Sequence, residues 1–176
     1  METKNGKKVS IMKEQIIKTA VECMKEEGLK FSLDMLAEKM KISKKTIYKY
    51  FPCKEVLARE IYQAYYDGLD KRSAELLASQ RLSKEEKSKE LLSVYFESVR
   101  MNRDDIFNKF NLNDLIRGYA SQRQNGIWAA ISPHLGKSLN AKETASLRII
   151  LDGAFEKTLQ GKSGGEEVFS LLGRLI

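Results

Sequence analysis

The sequence predicts an all-α fold of about nine helices, with an N-terminal three-helix head and a larger C-terminal helical domain. Three observations carry this expectation. Apolar residues recur at helical spacing along most of the chain, beginning with Met12, Ile16, Ala20, Cys23 and Met24. No alternating pattern of the kind a half-buried strand needs persists anywhere. Only two prolines occur, Pro52 and Pro133, so little interrupts a helix. With 176 residues the chain can bury a real core.

Residues 1–10 carry Lys4, Lys7 and Lys8 beside Asn5 and Gly6, and read as a flexible basic tail or as an arm able to lie along DNA. The first helix spans 11–27, and Gly28 is a fitting stop. The next two fill 32–54, SLDMLAEKMKISKKTIYKYFPCK. Ser32 can cap the second helix, with Asp34 in its first turn, where negative charge suits the helix dipole. Ser43 can cap the third. Leu33, Leu36, Ala37 and Met40, then Ile47 and Phe51, keep the helical rhythm. Pro52 lacks a donor and restricts Phe51, so the third helix ends there.

Lys54 starts a long fourth helix, to about residue 79, with Ile61, Tyr65, Leu69, Leu76 and Leu77 inward. Ser83-Lys84-Glu85-Glu86 is a capping box that opens the fifth, to about 101. Asp104-Asp105 opens a short sixth, and the seventh spans about 114–132, ending near Pro133. Asn140-Ala141-Lys142-Glu143, a weaker capping-box variant, opens the eighth, to about 160. Gly161 and Gly164-Gly165 interrupt, and a ninth helix carries Val168, Leu171, Leu172 and Leu175. The expected division is a tail at 1–10, a head at 11–54 and a second domain at 55–176.

Charge locates the partner. The first 60 residues hold 14 Lys/Arg against 9 Asp/Glu, and the rest 17 against 15. Between Lys39 and Lys54 there are six lysines and no acid. Two short helices joined by a tight turn and showing one basic face form a helix-turn-helix, whose second helix enters the major groove of double-stranded DNA. Lys44, Lys45, Thr46 and Lys49 occupy its first turn and outer positions. Lysine can bond guanine there, and threonine can bond a base or touch a thymine methyl. Tyr48 and Tyr50 can bond phosphate oxygens.

These residues resemble those of the tetracycline-repressor (TetR-type) family of transcriptional regulators. The resemblance rests on Ser32, Leu36-Ala37, Ile42-Ser43, the run Thr46-Ile47-Tyr48-Lys49-Tyr50-Phe51-Pro52 and Lys54-Glu55-Val56-Leu57. Upstream it includes Ile16, Thr19-Ala20, Cys23-Met24 and Gly28. Two positions depart from the family pattern. Lys41 stands where a turn glycine is usual, and is expected to hold a left-handed conformation at about 1 kcal/mol. Cys53 replaces the usual serine or threonine before the lysine of the fourth helix. The resemblance implies phosphate contacts from Tyr48, Tyr50 and Lys54, so the candidate DNA contacts are Ser32, Lys44, Lys45, Thr46, Tyr48, Lys49, Tyr50 and Lys54. It also implies a homodimer on a pseudo-palindromic operator, and a fourth helix that carries motion from a ligand domain to the heads.

Tyr95, Phe96, Phe107, Phe110, Tyr119 and Trp128 are many aromatics for one stretch. Ordinary core packing accounts for each alone; with the resemblance they become a candidate pocket for a small hydrophobic or aromatic effector. The expected dimer surface comes from the last two helices: Leu147, Ile150, Leu151, Ala154 and Phe155 in one, Val168, Leu171, Leu172 and Leu175 in the other.

Enzyme chemistry finds no support. His134 is the sole histidine, no glycine-rich loop follows a strand, and no nucleophile, base and acid stand at a usable spacing. Neither a cofactor nor a metal is expected. Cys23 and Cys53 are far apart, which suits a reducing compartment, and there is neither a secretory segment nor a transmembrane run. Cytoplasmic location is the expectation. Cys53 near a helix start is a passive cap substitute or a redox-sensitive thiol. The leading function is a dimeric, effector-released repressor. The competing one is a helix-turn-helix protein acting through protein partners, or an architectural DNA binder without effector. Operator-specific, salt-sensitive binding that a small molecule releases would separate them.

Overall fold

The computed structural model describes residues 4–27, 32–103, 114–135 and 139–160. Among these the protein has seven α-helices and no strand, which bears out the all-α class. They are α1 (Lys4–Glu27), α2 (Leu33–Met40), α3 (Lys44–Tyr50), α4 (Lys54–Ala78), α5 (Lys84–Met101), α6 (Asp114–Ile131) and α7 (Ala141–Leu159), with a 3-10 turn at Ser132–His134. The expected sixth and ninth helices fall outside the described residues, and so do Phe107, Phe110, Val168, Leu171, Leu172 and Leu175. Helix α1 begins at Lys4, well before the expected start at residue 11. The polar run holds no proline, and extending an existing helix by about two turns is easy once it is nucleated.

The chain divides into two units: Met1–Asp67 with Asp104–Gly118, and Gly68–Arg103 with Tyr119–Ile176. The division falls inside α4 and α6. In the first unit α1 packs on α2 and α3, and α2 on α3. Its core is drawn from each helix: Ile16 and Ala20 of α1, Leu36 of α2, Ile47 of α3, and Leu57, Tyr62 and Tyr66 of α4, all essentially without exposure. Cys23 is buried among them, as a small core residue. Tyr65 meets Tyr66 edge-on, with ring centroids 5.8 Å apart. Burial raises the Tyr62 phenol pKa, against a smaller opposing effect of the Arg117 charge.

The second unit is held by caps and crossed ion pairs around an apolar centre. Ser83 Oγ accepts from the Glu86 N–H while Glu86 accepts from the Ser83 N–H, a complete capping box at the start of α5. That backbone hydrogen bond from Ser83 holds the Glu86 carboxyl below its usual range. Asn140 and Glu143 make the same reciprocal pair at the start of α7. Arg72 of α4 spans two acids of α5, Glu90 and Glu97, at 2.8 Å each. Arg123 of α6 meets Asp70 of α4 at 2.7 Å. Helix α5 packs on α7, and Leu91, Leu92, Tyr95, Leu151 and Phe155 are fully buried between such elements.

Candidate nucleic-acid interface

The reading surface is built by two caps and one tight turn. Ser32 is extended, and its Oγ accepts from the Met35 N–H at 3.3 Å, starting α2. At the other end Lys41 adopts φ 55°, ψ 40°, the only non-glycine left-handed residue among those described. Its N–H donates to Glu38 O at 3.0 Å, and the Ile42 N–H to Ala37 O at 2.9 Å. This is the Schellman ending, which normally takes glycine. The departure read from the sequence is therefore real, and lysine bears the strain. Ser43 then caps α3, accepting from the Thr46 N–H at 3.1 Å. Phe51 stops α3 in extended conformation ahead of Pro52.

Helix α3 has two distinct sides. Ile47 and Phe51 are buried, at 0% and 2% exposure. Lys44, Lys45, Tyr48 and Lys49 are exposed, and their spacing sets them on one outer face. Thr46, Tyr50, Ser32 and Lys54 are half-buried. The Thr46 and Ser43 hydroxyls lie 3.0 Å apart, so Thr46 is already oriented by the cap.

The acids around this face are what the sequence count missed. Lys44 Nζ lies 2.7 Å from Asp34 Oδ1 of α2, and Lys39 Nζ 2.7 Å from Glu26 Oε2 of α1. The hydrogen bond to Glu26 raises the Lys39 pKa. Lys39 and Lys44 are thus paired with residues upstream of the lysine run. Lys41, Lys45 and Lys49 have no ion-pair partner among the described residues. Cys53 is exposed at the start of α4. The Glu55 carboxyl is lowered by its own backbone N–H and then by a hydrogen bond from Cys53.

The predicted pocket aromatics are only partly gathered. Tyr95 packs on Trp128 with centroids 4.9 Å apart, and Phe96 stands edge-on to Phe155 at 4.9 Å. Tyr119 is engaged elsewhere, its hydroxyl accepting from Arg123 at 2.6 Å. A polar cluster surrounds the Tyr95 hydroxyl. It donates to Asp152 Oδ1 at 2.8 Å, accepts from Arg148 Nε at 3.0 Å and lies 3.5 Å from Gln124 Nε2. The Arg148 guanidinium sits 5.9 Å from the centre of the Trp128 ring. Burial first, then the bond to Asp152, raise the Tyr95 pKa. The four-residue spacing of Arg148 and Asp152 was a readable signal for this cluster. A cleft of about 590 Å³ opens instead in the first unit, between α1 and α4, lined by Ile17, Val21, Phe51, Val56 and Ala64 among others. Among the described residues, Tyr95, Phe96, Tyr119 and Trp128 do not line it.

Of the expected dimer residues, Leu151 and Phe155 are fully buried within the protomer, and Leu147 and Ala154 half-buried. Ile150 is 61% exposed, and its neighbour Ile149, which sequence reasoning passed over, 73%. Among the described residues no group of His, Cys, Asp or Glu could hold a metal ion. No helix there is long and apolar enough to cross a membrane.

A capped, lysine-faced second helix set on a three-helix core makes a helix-turn-helix arrangement. Residues 16–61 match the family described as bacterial regulatory proteins, tetR family. The fold is similar to that of a transcriptional regulator of the TetR/AcrR family from Thermobifida fusca YX-ER1. The likeness has a TM-score of 0.55 at 22% identity and covers 93% of this chain and 95% of that one. No curated protein matches the chain. The family match covers the helix-turn-helix head, and the likeness to the solved regulator is one of fold.

Proposed function

We propose that the protein is a homodimeric repressor that binds a pseudo-palindromic operator and is released by a small hydrophobic or aromatic effector. The observation that carries the DNA half of this reading is the exposed face of α3, where Lys44, Lys45, Tyr48 and Lys49 project from a helix anchored by Ile47 and Phe51. Base edges are read from Lys44, Lys45, Thr46 and Lys49. Ser32, Tyr48, Tyr50 and Lys54 hold the phosphates. Exposed Ile149 and Ile150 on α7 support an assembly surface there, completed by the residues near 168–175. Two heads spaced about one turn of DNA, roughly 34–36 Å, suit a palindrome.

Support for an effector comes from the Tyr95–Trp128 pair. It is a tilted aromatic contact with Arg148, Asp152 and Gln124 converging on one hydroxyl, the mixture that fixes a ligand's orientation. A gel shift with the promoter of the protein's own gene, at two salt concentrations, tests the reading. Retarded DNA that competitor of unrelated sequence cannot displace, and that weakens with salt, is the expected result. Equal displacement by any duplex would refute an operator-specific repressor.

A further inference from the structure

Lys44 is the first residue of the recognition helix, yet its ammonium is held by an acid. Asp34 of α2 reaches it at 2.7 Å, and the two side chains are 74% (Asp34) and 51% (Lys44) exposed. An ion pair this exposed adds little to stability. Asp34 also faces the dipole of α2, but that role needs only a negative charge in the first turn, with no contact to α3. The other outward residues of α3 are Lys45, Tyr48 and Lys49, none of them acidic.

A carboxylate on a surface that meets a polyanion opposes binding at every position along the duplex. The opposition is relieved only where the DNA offers it a donor. In the major groove, cytosine N4 is such a donor, and it lies on the same base pair as the guanine O6 and N7 acceptors that lysine prefers. A lysine and a carboxylate held side by side therefore carry the complement of the edge of a G·C pair. Repulsion from every unsuitable site is as useful to specificity as attraction to the right one. We propose that Asp34 and Lys44 act as one specificity-determining pair that reads a single G·C base pair in each operator half-site. The inference rests on the DNA-binding reading above and assigns to α2 a base contact in addition to those of α3.

Selection from a library of random-sequence duplexes, with full-length wild type, Asp34→Ala and Lys44→Ala, tests it. Wild type should enrich a motif with an invariant G·C pair in each half, and both variants should lose that one preference while keeping the others. Asp34→Ala should also bind unselected duplex more tightly, with a salt slope steeper by about one unit. Between 200 and 50 mM salt its advantage over wild type then grows roughly 3.5-fold. If Asp34→Ala weakens binding to all sequences alike and keeps every positional preference, Asp34 is only structural and the proposal is overturned. If wild type binds no duplex at all, the DNA-binding reading falls, and the proposal with it.

Discussion

Replacing Lys41 by glycine should stabilise the protein. Lys41 is held at φ 55° because its N–H and that of Ile42 close the end of α2 onto Glu38 and Ala37. A left-handed conformation costs a residue with a Cβ about 1–2 kcal/mol, and glycine almost nothing. Glycine also loosens the unfolded chain, which takes back about 0.4–1 kcal/mol. The net expectation is a gain of about 0.5–1 kcal/mol. For a chain of this size each kcal/mol moves the midpoint by roughly 2–4 °C, so Tm should rise about 1–4 °C. Thermal unfolding followed by far-UV circular dichroism reads this. Lys41→Ala is the control, since it removes the same charge and keeps the Cβ. If Lys41→Gly melts no higher than Lys41→Ala, the turn carries no left-handed strain, and the account of the α2–α3 corner is wrong.

Three further outcomes follow from named contacts. Lys54→Ala should weaken binding equally on all sequences and flatten the salt dependence by about one unit, measured by anisotropy at two salt concentrations. Ile150→Asp should yield a folded monomer in light scattering, because Ile150 is exposed in the protomer; Leu151→Asp, at 0% exposure, should instead unfold the chain. A dimeric Ile150→Asp would move the interface elsewhere. An effector bound near Tyr95 should change the fluorescence of Trp128 and lower operator affinity together, since coupling between two sites is reciprocal. A saturating ligand that shifts fluorescence and leaves DNA affinity unchanged would break that link.

The head was legible because local signals dominate it. Ser32, Ser43, Pro52 and the apolar rhythm act within a few residues of themselves, and each does in the structure what its chemistry requires. Even the strained Lys41 could be read, because the turn tolerates one backbone geometry. Partners across helices could not. Asp34 reaches Lys44 and Glu26 reaches Lys39 only after α1, α2 and α3 have packed, so a count of lysines overstated the free charge of the face. The surroundings of Tyr119 were hidden for the same reason. Tyr119 lies on the helix that carries Trp128, yet its hydroxyl is taken by Arg123 within the ion-pair cluster of Asp70. Burial of Leu151 and Phe155 against exposure of Ile149 and Ile150 likewise depends on which side of α7 meets α5.

The central claim is that the outer face of α3 binds DNA. The most direct measurement is a fluorescence-anisotropy titration of labelled own-promoter duplex with wild type and with the Lys45→Ala/Lys49→Ala double variant. Both lysines are exposed, so the fold should survive their loss, which circular dichroism verifies. The account predicts tight, salt-sensitive binding by wild type, a loss of about two units of salt slope in the variant if both lysines meet phosphates, and a cost of about 1–3 kcal/mol for each one that reads a base. Equal affinity and equal salt slope in the folded variant would contradict it.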